Sequence, residues 1–415
     1  LTDKLTEEGI EIHYTDDPKL IPAFSIENTL VIYTPAVSEE HNELQYFKKN
    51  NFTILKRSEV LGIISRKKTT IAVAGTHGKT TISSMIAHML YASEKSCNAF
   101  LGGISKNYNT NLLLSETSPF VVTEADEFDR SFLHLEPQTA IISAVDADHL
   151  DIYGSYDEVK KSFSAFADKI QTNGSLILKE GINIDLPKNK FYHIYKYSLN
   201  SETDFFAKNI RIEGTRYVFD FVTPLGTAIE SITCGIPGII NIENAVAALS
   251  AAFLSGVSEQ DMRTSMKTFK GNNRRFDIQF ESDKLVYIDD YAHHPEEIKA
   301  FVSSIKEMYP GKKITGIFQP HLFSRTKDFA DEFAKSLSML DELLLTEIYP
   351  AREKAIPGVT SELIFNNVSI KNKTLCSKTE LLDKINIKNT EILLTMGAGD
   401  IDLYVPEIKK LCMNA

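Results

Sequence analysis

Cysteine is scarce. The four in 415 residues (Cys97, Cys234, Cys376 and Cys412) are scattered and form no C-x-x-C pair. That argues against a disulfide framework or a thiolate zinc site, and reads as reduced thiols. Positive charge is not in excess either: the formal net charge is −11, which leaves no broad basic surface for nucleic acid. Any anionic ligand must then be held by local lysine, arginine and backbone donors against the overall field. No apolar run approaches the roughly 20 residues of a membrane-spanning helix. No signal peptide is recognisable at the start, and no internal repeat or low-complexity block interrupts the chain. The default expectation is a cytoplasmic protein with neither nucleic acid nor membrane as partner. What is there is an ordinary globular composition, 43% hydrophobic and 24% charged, in a chain long enough for two or three domains with their own cores.

The most informative stretch runs from Thr70 to Leu90. A β-branched and apolar run ends at Gly75, and Lys79-Thr80-Thr81 opens a segment whose apolar residues recur at helical spacing. Strand, glycine turn and helix together aim backbone N–H groups and a helix N-terminus at an anion. The turn Gly75-Thr76-His77-Gly78 is a shortened phosphate loop, because the full eight-residue pattern needs glycine where Val73 stands. Lys79 can neutralise phosphate charge, and the Thr80 hydroxyl is placed to ligate magnesium. The bland alternative is a glycine turn before a helix with an exposed lysine.

Taken in order, the chain alternates helices and strands. A helix is expected over Thr2 to Gly9, strands over Ile10 to Tyr14 and Thr29 to Thr34, a helix from Glu39 to Asn50, and a strand at Phe52 to Leu55. No first strand with a glycine-rich turn precedes them, so a leading βα element of roughly 30 residues is expected upstream. A small domain that begins with a helix is the alternative. Beyond the phosphate loop, the run Pro119 to Val122 ends at Thr123-Glu124-Ala125-Asp126-Glu127, and Thr139 to Val145 ends at Asp146-Ala147-Asp148-His149-Leu150-Asp151. Ligands of doubly wound sheets sit at the carboxyl ends of strands. Taken singly, Glu124 or His149 reads as a solvated loop residue; three polar strand ends together point to a shared metal–phosphate site. An amphipathic helix is expected over Tyr156 to Ile170. From Phe191 to Cys234 the alternation predicts an antiparallel appendage. Asn241 and Asn244 open a helix on one face, where N-cap and first-turn polarity is the competing reading. From Lys284 a third α/β segment places His293, His294, His321 and Arg325 at consecutive strand ends, as one lining.

These blocks, with Arg274-Arg275-Phe276-Asp277, resemble the Mur ligases in order and spacing from about Gly9 to Gly399, the most specific being Asp289-Asp290-Tyr291-Ala292-His293-His294-Pro295 and Phe318-Gln319-Pro320-His321. Within the family the alanine-adding branch looks nearest. The resemblance implies an α/β protein of three domains. They are an incomplete Rossmann-like UDP-sugar domain over 1–66, a central P-loop ATPase-like parallel sheet over 67–279, and a C-terminal Rossmann-like domain over 280–415. It also implies a reaction: ATP phosphorylates the lactyl carboxylate of UDP-N-acetylmuramate, and the amine of L-alanine displaces the phosphate. By the same resemblance Gly75 to Thr81, Asn241, Asn244, Arg275 and Asp290 hold ATP, and Lys79 grips its outer phosphates. Thr80, Glu124 and His149 would hold two Mg²⁺ ions, although imidazole is an unusual ligand for magnesium. Tyr291, His293, His321 and Arg325 position the acyl phosphate and amine. A neutral His293 would also accept the amine's proton, its reference pKa lying near operating pH.

Three departures from the family pattern stand out. Ile240 occupies the place of a histidine that stacks on adenine. Phe163 stands where several members carry a carbamylated lysine, with Lys160 and Lys161 on other faces, so no carbamate is expected. A glycine-rich diphosphate loop is missing from the start, which leaves Thr34 to Val37 and Gly102-Gly103 as nucleotide-sugar contacts and predicts poor binding of that substrate. Rival readings are a ligase that recycles murein tripeptide and a P-loop switch that ligates nothing. A monomer or a homodimer is expected.

Overall fold

The computed structural model describes residues 2–147, 150–188, 191–214, 216–351 and 353–414. Its first unit is small. Strands Leu30–Tyr33 and Thr53–Lys56 pair in parallel, Leu30 opposite Thr53, around the crossover helix Asn42–Lys49. The strand expected at Ile10 to Tyr14 does not form. Its alternation is real, but the segment has no sheet neighbour to hydrogen-bond, and Tyr14 is 81% exposed. The loop after it does a different job: the Asp16 carboxylate accepts the N–H groups of Asn42 (2.9 Å) and Glu43 (3.0 Å) at the start of the crossover helix. Helix Arg57–Ser65 follows directly on the second strand, and a Cβ on its Gly62 would meet His134 O at 2.4 Å. The glycine lets this unit press onto the central one.

The central sheet has ten strands. Seven run parallel: Phe205–Glu213, His193–Ser198, Ser175–Lys179, Thr139–Ile142, Thr69–Ala74, Phe120–Glu124 and Asn98–Ser105, in that spatial order. Antiparallel strands continue both edges, Arg216–Val222 and Ala228–Thr233 on one side and Thr110–Leu113 on the other. The appendage is therefore smaller than its sequence predicts. His193–Ser198 belongs to the parallel sheet, because alternation reports one-sided burial and carries no information about strand direction. Helices Lys79–Tyr91 and Ile239–Leu254 cover one face, burying Met85, Leu90, Val246 and Leu249. Helix Tyr156–Ala167 covers the other. There Phe132 stacks on Phe166 at 4.9 Å and meets Phe163 edge-on at 5.3 Å. Phe163 is thus a core residue.

The third unit is a six-stranded sheet in the order Asp277–Glu281, Val286–Asp290, Ile392–Met396, Ile314–Phe318, Glu342–Leu345 and Asn372–Leu375. All but the first are parallel. Among the described residues no helix is long and apolar enough to cross a membrane.

Candidate active site

Strand Thr69–Ala74 lies between Thr139–Ile142 and Phe120–Glu124, so the three polar strand ends singled out in the sequence are neighbours. The turn between strand and helix depends on its glycines. Gly75 has φ +140° and Gly78 +85°; a Cβ on the first would stand 2.2 Å from Ser143 Oγ, and on the second 2.8 Å from Asn244 Oδ1. The neighbouring strand end fixes the turn, as Ser143 Oγ donates to His77 O (2.5 Å) and Thr76 N to Ala144 O (3.1 Å).

Lys79 is not an exposed lysine. Its Nζ donates to Gly75 O (2.7 Å) and to Glu127 Oε1 (2.8 Å), a carboxylate with 2% of its side chain exposed. Burial works against the ammonium charge, but Glu127 outweighs it and holds the lysine above its ordinary pKa. Burial also lifts the carboxyl of Glu127 above the usual carboxylate range, while Lys79 pulls the other way. Sequence reasoning gave Glu127 no role. The one available signal was its position three residues after Glu124, at the end of a buried strand.

Glu124 accepts the N–H of Gly102 at 2.8 Å. A Cβ on Gly102 would fall 2.4 Å from both carboxylate oxygens, and a Cβ on Gly103 would fall 3.0 Å from Thr80 Cγ2. The strand Asn98–Ser105 thus wraps the two predicted oxygen ligands with residues that have no side chain. A hydroxyl and a carboxylate are the hard oxygen donors that magnesium takes, so the pair fits the ion. The third predicted ligand, His149, lies outside the described residues.

Residues Thr76 to Thr81, Asn241, Asn244, Arg275 and Asp290 line one cavity of about 330 Å³ between the central and C-terminal sheets, with Ile240 at its wall. The N-cap of helix Ile239–Leu254 is Gly238, so neither asparagine is the cap. Asn241 donates to Pro237 O and accepts from Asn244 Nδ2 (3.3 Å), both side chains being nearly buried. Asp290 accepts the N–H groups of Phe276 and Ala292, each at 2.7 Å. Burial pushes its carboxyl up to about 6, with Arg275 opposing the rise.

Beyond Asp290 the predicted lining assembles except for His294, whose ring packs on Phe329 at 5.0 Å. Tyr291 and His293 are 5.2 Å apart between ring centroids, His293 and His321 5.9 Å, and His321 stacks on Tyr349 at 5.8 Å. Arg325 Nη1 lies 3.4 Å from His321 Nδ1. Burial lowers His293 and His321 to about 4. His293 is therefore neutral, but its pKa lies well below the reference value on which a proton-accepting role was based. Its Nδ1 lies 2.9 Å from Tyr291 O, which can only accept, so Nδ1 carries the proton and Nε2 is left as an acceptor.

Two acids that the sequence left without a role meet at His77. Its Nε2 lies 3.3 Å from Asp146 Oδ2 and its Nδ1 3.1 Å from Glu297 Oε1. The signal for Glu297 was its spacing, three residues after His294 at the head of a helix that starts with Pro295.

Sequence comparison agrees with this architecture. Profiles of the "Mur ligase family, catalytic domain", the "Mur ligase middle domain" and the "Mur ligase, glutamate ligase domain" match residues 1–69, 73–252 and 274–399. The UDP-N-acetylmuramate–L-alanine ligase of Parabacteroides distasonis is 51% identical over 413 residues, 99% of this chain and 89% of its own length. That of Flavobacterium johnsoniae is 46% identical over 412 residues, 99% and 90% of the two chains. The crystal structure of the UDP-N-acetylmuramate–alanine ligase of Thermotoga maritima superposes with a TM-score of 0.79 at 26% identity, covering 100% of this chain and 91% of that one. A murein peptide ligase from Psychrobacter arcticus shares the fold at 20% identity and a TM-score of 0.66, covering 100% and 90%. A three-domain α/β architecture, a lysine-tipped loop facing a histidine-lined strand edge, and relatives about half identical along almost the whole chain lead to one conclusion: this chain belongs to the Mur ligase family.

Proposed function

We propose that the chain is an ATP-dependent ligase that joins the amine of L-alanine to the lactyl carboxylate of UDP-N-acetylmuramate, through an acyl phosphate, in peptidoglycan synthesis. One observation carries the reading: Lys79 on the phosphate loop and the Asp290 strand end face the same cavity. Phosphoryl donor and incoming amine can then meet in one cleft.

The first step moves a γ-phosphoryl group between two anions, so its barrier is set by repulsion and charge build-up. Lys79 leaves Glu127 to grip the outer phosphates, and the N–H groups of the loop cradle them. Asn241 and Asn244 meet the adenine beside Ile240, which offers apolar contact. Arg275 and Asp290 hold the nucleotide from the other sheet. Thr80 and Glu124 would hold one Mg²⁺, and Glu124 with His149 a second. Bound there, magnesium supplies charge neutralisation. In the second step Arg325 offsets negative charge, while Tyr291, His293 and His321 shape the place of the amine. With its proton on Nδ1, His293 orients the amine through Nε2 instead of taking its proton. Gly102 and Gly103 lie where the nucleotide sugar approaches. The residues given roles here all belong to one chain, which suits a monomer or a homodimer, and ATP and UDP-linked sugar are met in the cytoplasm.

The test is phosphate release from ATP with magnesium and UDP-N-acetylmuramate, adding L-alanine or murein tripeptide in separate reactions. Release that requires both the sugar nucleotide and alanine is the expected result. Release with tripeptide alone would assign the chain to precursor recycling, and release indifferent to both would make it an ATPase without ligase activity.

A further inference from the structure

The roles assigned above leave Glu297 unused, although its side chain, 16% exposed, lies between the two halves of the site. As the third residue of helix Pro295–Met308, it accepts through Oε2 the N–H groups of His293 (3.0 Å) and His294 (3.3 Å). A capping acceptor of this kind needs neither charge nor a second oxygen, and glutamine serves as well. The second oxygen goes elsewhere. Oε1 lies 3.1 Å from His77 Nδ1 on the phosphate loop, and His77 Nε2 lies 3.3 Å from Asp146 Oδ2, which accepts from Thr76 Oγ1 at 3.1 Å. On its other side Glu297 Oε2 stands 3.2 Å from His293 Nδ1. Asp146, His77, Glu297 and His293 thus form one line from a strand end of the central sheet to a strand end of the C-terminal sheet.

We infer that Glu297 is a positioning residue for the ligation: it ties the orientation of His293 to that of the phosphate loop. The amine-side lining is then aligned only while the two sheets are docked on each other. The inference rests on the reaction proposed above. The two charged groups beside His77 are carboxylates, which suits a charged clasp. Asp146 and Thr76 face it from the central sheet, and Glu297 and the His294 ring, 5.4 Å away, from the C-terminal helix. Burial opposes the charge on His77, but the two carboxylates lift it to about 9. Burial likewise opposes the charge on Glu297, and His77 and Arg275 hold its carboxyl well below the ordinary range.

Glu297→Gln keeps the cap and removes the charge. It should melt within a few degrees of wild type, lower kcat at least about tenfold, and leave the KM for ATP within about threefold, since only alignment is lost. In the unliganded protein the NMR titration midpoint of His77 should fall by about one pH unit or more, as one of its two carboxylate partners becomes neutral. His77→Gln combined with Glu297→Gln should be no slower than the slower single variant, because both remove the same contact. Glu297→Asp, one methylene short of His77, is the second variant and should also lose turnover. A folded variant of either kind with wild-type kcat, or additive losses in the double variant, would overturn the inference. An unmoved His77 midpoint would remove the contact itself. If wild type fails to ligate alanine, the reaction assignment falls instead, and the titration still decides whether the clasp exists.

Discussion

Lys79 carries two duties, and they pull its variants in two directions. In the proposed chemistry it meets phosphate; in the structure it neutralises Glu127, a carboxylate with 2% of its side chain exposed. Removing one partner of a buried pair costs about 3–5 kcal/mol, because the other charge is left without compensation. Lys79→Ala should therefore lose most of its turnover and also some stability at pH 7.5. The pH dependence separates the two effects. Without the lysine, burial raises Glu127 further above its unfolded value, so the folded variant binds more protons than the unfolded chain in the window between the two. Its stability then rises as pH falls through that window, while turnover stays lost. Urea melts of the variant at pH 5.5 and 7.5 check this; a variant equally stable at both would mean that water or another cation reaches Glu127.

Strand Asn98–Ser105 lies close against the proposed metal ligands Thr80 and Glu124, and its contribution is the absence of side chains. At Gly102 an added Cβ would press on both oxygens of Glu124 at 2.4 Å. The carboxylate end is mobile enough to yield, and Gly102 itself is exposed. Gly102→Ala should accordingly lower turnover about tenfold or more by turning Glu124, with a melting temperature near wild type. A normal rate would release Glu124 from the metal assignment. This element also marks where sequence reading stops. The phosphate loop is legible because glycine spacing and a lysine at a helix start are local facts, and the polar strand ends stand out against their apolar runs. The hairpin holding Gly102 goes unseen because its alternation is weak. The direction of His193–Ser198 is invisible because a strand and its reverse share one pattern. Lys79–Glu127 and His77–Glu297 join residues 48 and 220 positions apart, so nothing in either neighbourhood announces the pairing. Ile10 to Tyr14 errs the other way, showing a strand pattern without a partner.

At the scale of the molecule, the site lies where the cores do not. The buried clusters of the central sheet draw on residues up to Phe269, and those of the C-terminal sheet begin at Phe276. Met308, only partly buried, packs against both sides. Other joints between the sheets are polar: Lys106 with Asp277 at 2.6 Å, Tyr217 with Glu307 at 3.2 Å, and His77 with Glu297. Polar joints of this kind hold domains weakly, whereas each sheet is cooperative within its own core. A nucleotide bridging the cleft changes that balance, because it binds only when both sheets are folded. At a hundredfold excess over its dissociation constant, a ligand adds about 2.7 kcal/mol to the state that binds it. Urea unfolding without ligand should thus show two transitions, and ADP with magnesium should raise the lower midpoint and narrow the gap between them. A single transition without ligand, coincident by fluorescence and circular dichroism, would mean that the polar joints already fuse the sheets. The alignment of His293 with the phosphate loop would then stand without help from a nucleotide.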